Sequence, residues 1–327
     1  MLRHSLELRL RTIPNISRSS LHDAKVAILF SGGLDCTLLA RLAHEILPEN
    51  EPIDLLNVAF ENPRVIAAAA SNGSISRLMT SVYEDCPDRK TGLSSYVELL
   101  QGCPNRRWRF VRINIPYVET LEHRDEIKHL MFPHNTEMDL SIACALYFAA
   151  RGKGQVTDDT NVSFQVPYTS PARVLISGLG ADEIFAGYSR HNVAFQREGF
   201  QGLIDEIELD VGRLGQRNLG RDDRVIAHWG REVRYPYLDE DFLKWALQLP
   251  VWEKCGFRKD PEPNGTAPSP TDDAEVLQLE PAKLALRLLA SKLGMASVSR
   301  EKKRAIQFGS RTAKMESGRS KGTQLLS

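Results

Sequence analysis

Val26 to Phe30 is a short unbroken apolar run, closed at once by Ser31-Gly32-Gly33. A run without polar alternation predicts a strand buried on both faces, as in a parallel sheet. From Leu34 the spacing changes. Apolar residues recur at Leu38, Leu39, Leu42 and Ile46, which predicts a helix ended near Pro48. Asp54 to Phe60 predicts a second strand. Strand, helix and strand in one span predict a βαβ unit.

Residues 61–105 show no clear period and contain Pro63, Gly73, Pro87, Gly92, Gly102 and Pro104. They predict a long insertion with at most short helices. Trp108 to Ile113 predicts a third strand. Met138 to Arg151 is apolar on nearly every side, the pattern of a buried helix, and Gly152 suits its C-terminal stop. Arg173 to Ser177 predicts a fourth strand, followed by Gly178-Leu179-Gly180. The second half reads as mainly helical. Phe242 to Leu249 ends at Pro250, and the stripe Leu284, Leu288, Leu289 and Leu293 ends at Gly294.

Residues 258–275 are rich in Pro, Gly, Ser, Thr and Asp and predict a flexible loop. The polar tail 311–327 predicts disorder. The expected fold class is α/β, a parallel sheet with helices on both faces and a helical C-terminal part. One domain would span 24–310, preceded by a short helix within 1–23.

Composition narrows the function classes. The chain has 327 residues, 42% of them apolar, enough for a real core. Lys+Arg and Asp+Glu number 42 each. That balance gives no general attraction to nucleic acid or membrane, although a local basic patch stays open. The five cysteines, at 36, 86, 103, 144 and 255, form no C-x-x-C pair. Reduced thiols in the cytoplasm are the expectation, and zinc is not expected. No apolar run approaches the roughly 20 residues that span a bilayer. The Arg-rich N-terminus lacks a secretory signal, and Glu7 interrupts the face that a mitochondrial presequence would need. His134, His191 and His228 stand alone and read as surface or core histidines.

Two turns carry candidate chemistry. Ser31-Gly32-Gly33-Leu34-Asp35-Cys36 lies between a strand and a helix. Its glycines allow a tight turn with N–H groups aimed at an anion, and the helix adds the positive end of its dipole. Asp35 is itself negative, which suits a phosphate if Mg²⁺ lies between them. The plain alternative is an ordinary glycine-rich βα turn. Ser177-Gly178-Leu179-Gly180-Ala181-Asp182-Glu183 repeats the layout of strand, glycines, acid and helix. Turns of this kind gather at the carboxyl ends of parallel strands, so Asp35 and Asp182 could flank one Mg²⁺–polyphosphate. The alternative there is helix capping by the two acids.

These segments bear a specific resemblance. Ser-Gly-Gly-Leu-Asp at 31–35 resembles the pyrophosphate loop of the ATP pyrophosphatase superfamily. Gly-Leu-Gly-Ala-Asp-Glu with Phe185-Ala-Gly-Tyr188 is similar to the second nucleotide motif of asparagine synthetases. Glu232-Val-Arg-Tyr-Pro-Tyr-Leu-Asp239 and Lys303-Arg-Ala-Ile-Gln-Phe-Gly309 resemble two further segments of that family, in its order. The resemblance extends to the asparagine synthetase domain-containing proteins. It implies an ATP-dependent amide-forming ligase with ATP and Mg²⁺ as cofactors. The carboxylate of aspartate or a related acid would be adenylated and then attacked by ammonia. By position, Ser31, Gly32, Gly33, Asp35, Cys36, Gly178 and Gly180 would hold the nucleotide phosphates. Val58 would offer backbone to adenine, and Asp35 and Asp182 would hold the metal. Lys303, or its neighbour Lys302, would meet the α-phosphate. Alone, the run Lys302-Lys303-Arg304 reads as a solvated turn. Glu232 and Arg234 would either lock a loop or touch substrate.

Three departures stand out. Cys36 replaces the family's usual Ser, and a thiol at a helix N-terminus could gain thiolate character. Leu179 replaces a Glu that the true synthetases use in amide formation, and leucine cannot move a proton. The glutaminase domain that glutamine-using members carry has no counterpart in these residues. Residues 1–14 resemble the linker that joins it to the synthetase half. Its function would come from a separately supplied domain or chain. The second reading is an ATP-binding pseudoenzyme or scaffold. A lactam-forming or thiolating relative is a third, but thiolation usually needs paired reactive cysteines.

Overall fold

The computed structural model describes residues 1–14, 23–71, 82–157, 165–259, 279–315 and 322–326. Most of the expected loop 258–275 lies outside them. Among the described residues seven strands form one sheet: β1 (Val26–Leu29), β2 (Ile53–Phe60), β3 (Trp108–Ile115), β4 (Lys153–Thr157), β5 (Gln165–Thr169), β6 (Val174–Ile176) and β7 (Glu232–Arg234). Their order is β5-β4-β3-β2-β1-β6-β7. The run β3-β2-β1-β6-β7 is parallel. The edge pairs β3/β4 and β4/β5 are antiparallel, so the sheet is mixed rather than purely parallel. The β4/β5 hairpin carried no apolar run because it sits at an edge and is largely exposed.

Alternation in the central strands feeds two cores. Val26, Ile28, Ile53, Leu55, Val174 and Ile176 pack on one side, with the helices Leu2–Arg11, Leu34–Ile46 and Leu284–Lys292. Ala27, Leu56, Val58, Val111, Ile113 and Leu175 pack on the other, under the helix Glu137–Arg151. That helix begins on the Thr136 side chain, which accepts from the Asp139 N–H. It stops at Gly152, whose φ of +67° is left-handed.

The N-terminal helix joins the domain instead of standing off as a linker. Leu2, Leu6 and Leu10 enter the first core. Ser5 donates to the Pro236 carbonyl at 2.6 Å, and Arg9 pairs with Asp239 at 2.8 Å.

The segment 61–105 differs from expectation. It holds a helix at Pro63–Ser71 and a 16-residue helix at Pro87–Gly102, which crosses from β2 to β3. The longer helix buries Asp88, Arg89, Gly92, Ser95 and Leu99. Its inner face is small and polar, so it gave no apolar stripe to read.

The tail differs too. Thr312 and Met315 are buried. Residues 322–326 pair back onto the start of the helix Glu137–Arg151, where Glu137 N–H donates to the Gln324 carbonyl at 3.0 Å.

Candidate active site

The parallel register fixes where the two glycine turns lie. Ile28 stands opposite Ile176, so the turns after β1 and β6 leave the same edge of the sheet side by side. A Cβ on Gly178 would sit 3.1 Å from the Asp35 Cβ.

The first turn is held from behind. Gly32 has φ +83°, and a Cβ there would lie 2.4 Å from the Gly92 Cα. Ser95 donates to the Gly32 carbonyl at 2.6 Å, and Gly33 N–H donates to the Ser31 hydroxyl at 3.3 Å. Gly180 has φ +102°, and a Cβ there would meet Leu238 at 2.4 Å. Gly32 and Gly180, expected among the phosphate contacts, therefore serve close backbone approach and do not line the cavity.

Between the turns stands a residue with no motif around it. Lys283 Nζ lies 2.6 Å from Asp35 Oδ2 and 2.7 Å from Asp182 Oδ1. Its backbone is left-handed, with φ +58°, and its N–H donates to the Phe185 carbonyl at 3.0 Å. Burial pulls the Lys283 ammonium down, but Asp182 and Asp35 outweigh it and hold its pKa well above the ordinary value. Burial raises Asp35, against the pull of Lys283. For Asp182 the same burial is overcome by Lys283 and Lys303, and it is held low. The charge of Asp182 adds to the rise at Asp35.

Asp35, Asp182 and Lys303 open onto a cavity of about 370 Å³, while Lys283 lines a smaller adjoining pocket that they share. The cavity brings together Ser31, Gly33, Asp35, Cys36, Val58, Gly178, Asp182 and Lys303, all singled out in the sequence. Lys302 instead faces the smaller pocket. Lys303 Nζ rests 4.4 Å from the centre of the Tyr188 ring. Ile142, Leu146, Ala149 and Ile306 line the same cavity as Val58. Apolar lining of this kind suits a flat base.

Leu179 also lines the cavity, half-buried. Beside it Glu183 is buried and accepts from the Tyr188 hydroxyl at 2.6 Å, while its Oε2 has no partner among the described residues. Burial raises the Glu183 carboxyl despite the Tyr188 hydrogen bond. Cys36 does not gain thiolate character. Its Sγ donates to the Gly33 carbonyl at 3.3 Å, and burial pushes the thiol up. Glu232 and Arg234 lie outside the cavity. They pair with each other at 2.7 Å, and Arg234 reaches the Arg9 carbonyl and the Thr12 hydroxyl, which makes them a lock on the N-terminal helix. His191 is a core histidine. It accepts from Tyr188 N–H through Nδ1 at 3.2 Å, so Nε2 faces Asp210 as donor at 2.9 Å.

Residues 196–260 match the family model for asparagine synthase. The chain is 39% identical over 320 residues to asparagine synthetase domain-containing protein 1 of Gallus gallus, covering 91% of this chain and 47% of that one. It belongs to the asparagine synthetase domain family. The Homo sapiens protein of the same name is 41% identical over 321 residues, 90% of this chain and 46% of its own length. An asparagine synthetase domain-containing protein of Saccharomyces cerevisiae is 37% identical over 336 residues, 100% of this chain and 54% of its own. The chain thus spans about half the length of these relatives.

The residues present fit Mg²⁺ in the asparagine synthetase domain. Asp35 Oδ1 is buried with no hydrogen-bond partner among the described residues. Asp182 Oδ1 meets only the Lys283 ammonium. No cluster of three or more ligating side chains exists among the described residues. Two carboxylates suffice, because Mg²⁺ takes one or two of them together with substrate phosphate oxygens. Lys283 must share or yield its place between them. No motif marks Lys283, which follows Glu280-Pro281-Ala282 beyond a stretch rich in Pro, Ser and Asp. No helix among the described residues is long and apolar enough to cross a membrane.

Proposed function

We propose that this chain binds ATP in the cavity and uses it to activate a carboxylate for amide formation. The observation that carries this reading is the convergence of Asp35, Asp182, Lys283 and Lys303 beside the Ser31–Gly33 turn. A carboxylate is a poor electrophile until one oxygen becomes part of a good leaving group, and joining it to AMP supplies that group. The Gly33 N–H region and the Ser31 hydroxyl receive the phosphates. Asp35 and Asp182 hold Mg²⁺, which neutralises polyphosphate charge. Lys303 and Lys283 place two cations where negative charge grows as pyrophosphate leaves. The apolar wall at Val58 and Ile142 takes the adenine.

Aspartate or a related acid is the proposed acyl substrate, and ammonia the nitrogen nucleophile. A glutaminase domain or chain would supply that ammonia. Glu183 is the proposed proton acceptor near Leu179, because it belongs to the cavity lining and its buried Oε2 has no partner among the described residues. The five cysteines are free and buried, which supports a reducing cytoplasmic setting.

One second reading has its own support. Leu179 in the cavity wall, together with an ammonium between the two aspartates, favours a protein that binds the nucleotide without completing a synthesis. A single assay separates the two. Pyrophosphate release is measured with ATP, Mg²⁺, ammonia and a panel of carboxylic acids. Release above that of an Asp35→Ala control supports the ligase. No excess release, with ATP still bound, overturns it.

A further inference from the structure

The helical run Ser189–Leu214, kinked at Gly199 where φ is +68°, does not simply end at the cavity. It passes through a π-helical turn, Gly215–Leu219, into the helix Gly220–Ala227. Such turns are rare and occur often at functional sites, where they re-aim side chains. Here they align a row of arginines spaced by four: Arg213, Arg217 and Arg221 all line the cavity.

The row is not uniformly neutralised. Arg221 is buried and pairs with Asp139 and Asp222, each at 2.8 Å. Arg190, also at the cavity, pairs with Asp210 at 2.5 Å and Glu206 at 3.1 Å. Arg213 and Arg217 are exposed at the cavity and have no ion pair or side-chain hydrogen bond among the described residues. The ordinary explanation is two solvated surface arginines. Against it stand their four-residue spacing, with Arg213 just before the π-turn and Arg217 within it, and their place on the cavity wall. Every neighbouring arginine of that wall is already matched by an acid.

We infer that Arg213 and Arg217 are specificity-determining residues that hold a second carboxylate of the acyl substrate, the one that is not activated. This inference rests on the proposed carboxylate-activating function. One guanidinium fork can span both oxygens of a carboxylate in two parallel hydrogen bonds, and the second can donate to one of them from the side. A dicarboxylic acid has one carboxylate to be activated and one to be held. A monocarboxylic acid cannot satisfy both places, so the site selects dicarboxylates.

The test measures binding at equilibrium, without turnover. Wild type and the R213Q/R217Q variant are titrated with L-aspartate and with β-alanine, which is aspartate without its α-carboxylate, in the presence of Mg²⁺ and a non-hydrolysable ATP analogue. The dissociation constant for L-aspartate is expected to rise about tenfold to a hundredfold, while that for the analogue changes little. R213K/R217K should recover part of the loss, because charge remains without the planar fork. Thermal unfolding of each variant guards against a folding defect, and the single R217Q variant serves if the double variant does not fold. Three results overturn the inference: unchanged aspartate affinity, equal weakening of both amino acids, or an equal loss of analogue affinity. The last would assign the arginines to nucleotide phosphate. Wild type that binds no L-aspartate also overturns it. Failure of the ligase reading is seen separately, as wild type that binds L-aspartate and the analogue yet releases no pyrophosphate.

Discussion

Gly32 and Gly92 lie in backbone contact, so close that a Cβ on Gly32 would come 2.4 Å from the Gly92 Cα. This contact ties the phosphate-type turn to the helix Pro87–Gly102. The same helix meets β2 through Asn57, whose side chain donates to the Asp88 carbonyl at 2.9 Å.

Gly92→Ala is therefore a strong test of the turn. Its Cβ would fall 2.6 Å from Asn57 Nδ2 and 3.2 Å from the Phe110 ring. Overpacking of this kind costs about 1–3 kcal/mol. A lower urea midpoint together with weaker ATP-analogue binding is expected, whereas Gly102→Ala, where a Cβ meets nothing, should change neither.

Lys283→Ala leaves Asp35 and Asp182 buried and facing each other. Removing one partner from a buried charge cluster costs about 3–5 kcal/mol. Millimolar Mg²⁺ should restore part of the lost thermal stability of this variant and do less for wild type. Melting curves with and without MgCl₂ check this, and equal gains in both proteins would count against a cation site at the two aspartates.

Lys303 and Lys302 should separate in the pyrophosphate assay. Removing a cation placed at developing charge costs about 10²–10³ in rate. Lys303→Ala is expected to show such a loss. Lys302→Ala, outside the main cavity, should stay close to wild type.

Asp88 gives a pH signature. Burial pushes its carboxyl up to about 7, with Arg304 3.8 Å away pulling it down and Glu301 raising it. The unfolded chain releases this proton near the ordinary value of 3.8, earlier than the folded chain does. The folded state binds more protons across that window, so stability falls as pH rises from about 4 to about 7. Asp88→Asn removes this contribution. Its denaturation midpoint should exceed that of wild type by more at pH 8 than at pH 4.

Leu179→Glu asks whether this position limits amide formation. Its side chain already lines the cavity next to Glu183. A gain in amide product, with pyrophosphate release unchanged or higher, is expected if a missing carboxylate is the defect.

The legible parts of this protein were local. Val26–Phe30 followed by Ser-Gly-Gly, and Arg173–Ser177 followed by Gly-Leu-Gly, announce strand–turn–helix units within a few residues. Each unit shows its apolar run and its glycine turn within a few consecutive residues. The helix Glu137–Arg151 was equally plain, being apolar on nearly all sides and stopped by Gly152. The helix Pro87–Gly102 was not. What it buries is Asp88, Arg89, Gly92 and Ser95, chosen by the shape and polarity of the turn it supports. A face selected by contact with a distant glycine and an asparagine leaves no hydrophobic period.

The sequence by itself determined the two glycine turns with their aspartates, the alternation of strand and helix, and the family likeness. Tertiary structure alone decided that Lys283 stands between those aspartates, across a separation of 248 residues from Asp35. It also decided that Lys303 rather than Lys302 faces the cavity, and that Gly32 serves a helix contact. The reason is physical. Turn geometry and periodicity are set by neighbours along the chain, whereas pairing of buried charges is set by whichever groups the fold removes from water together.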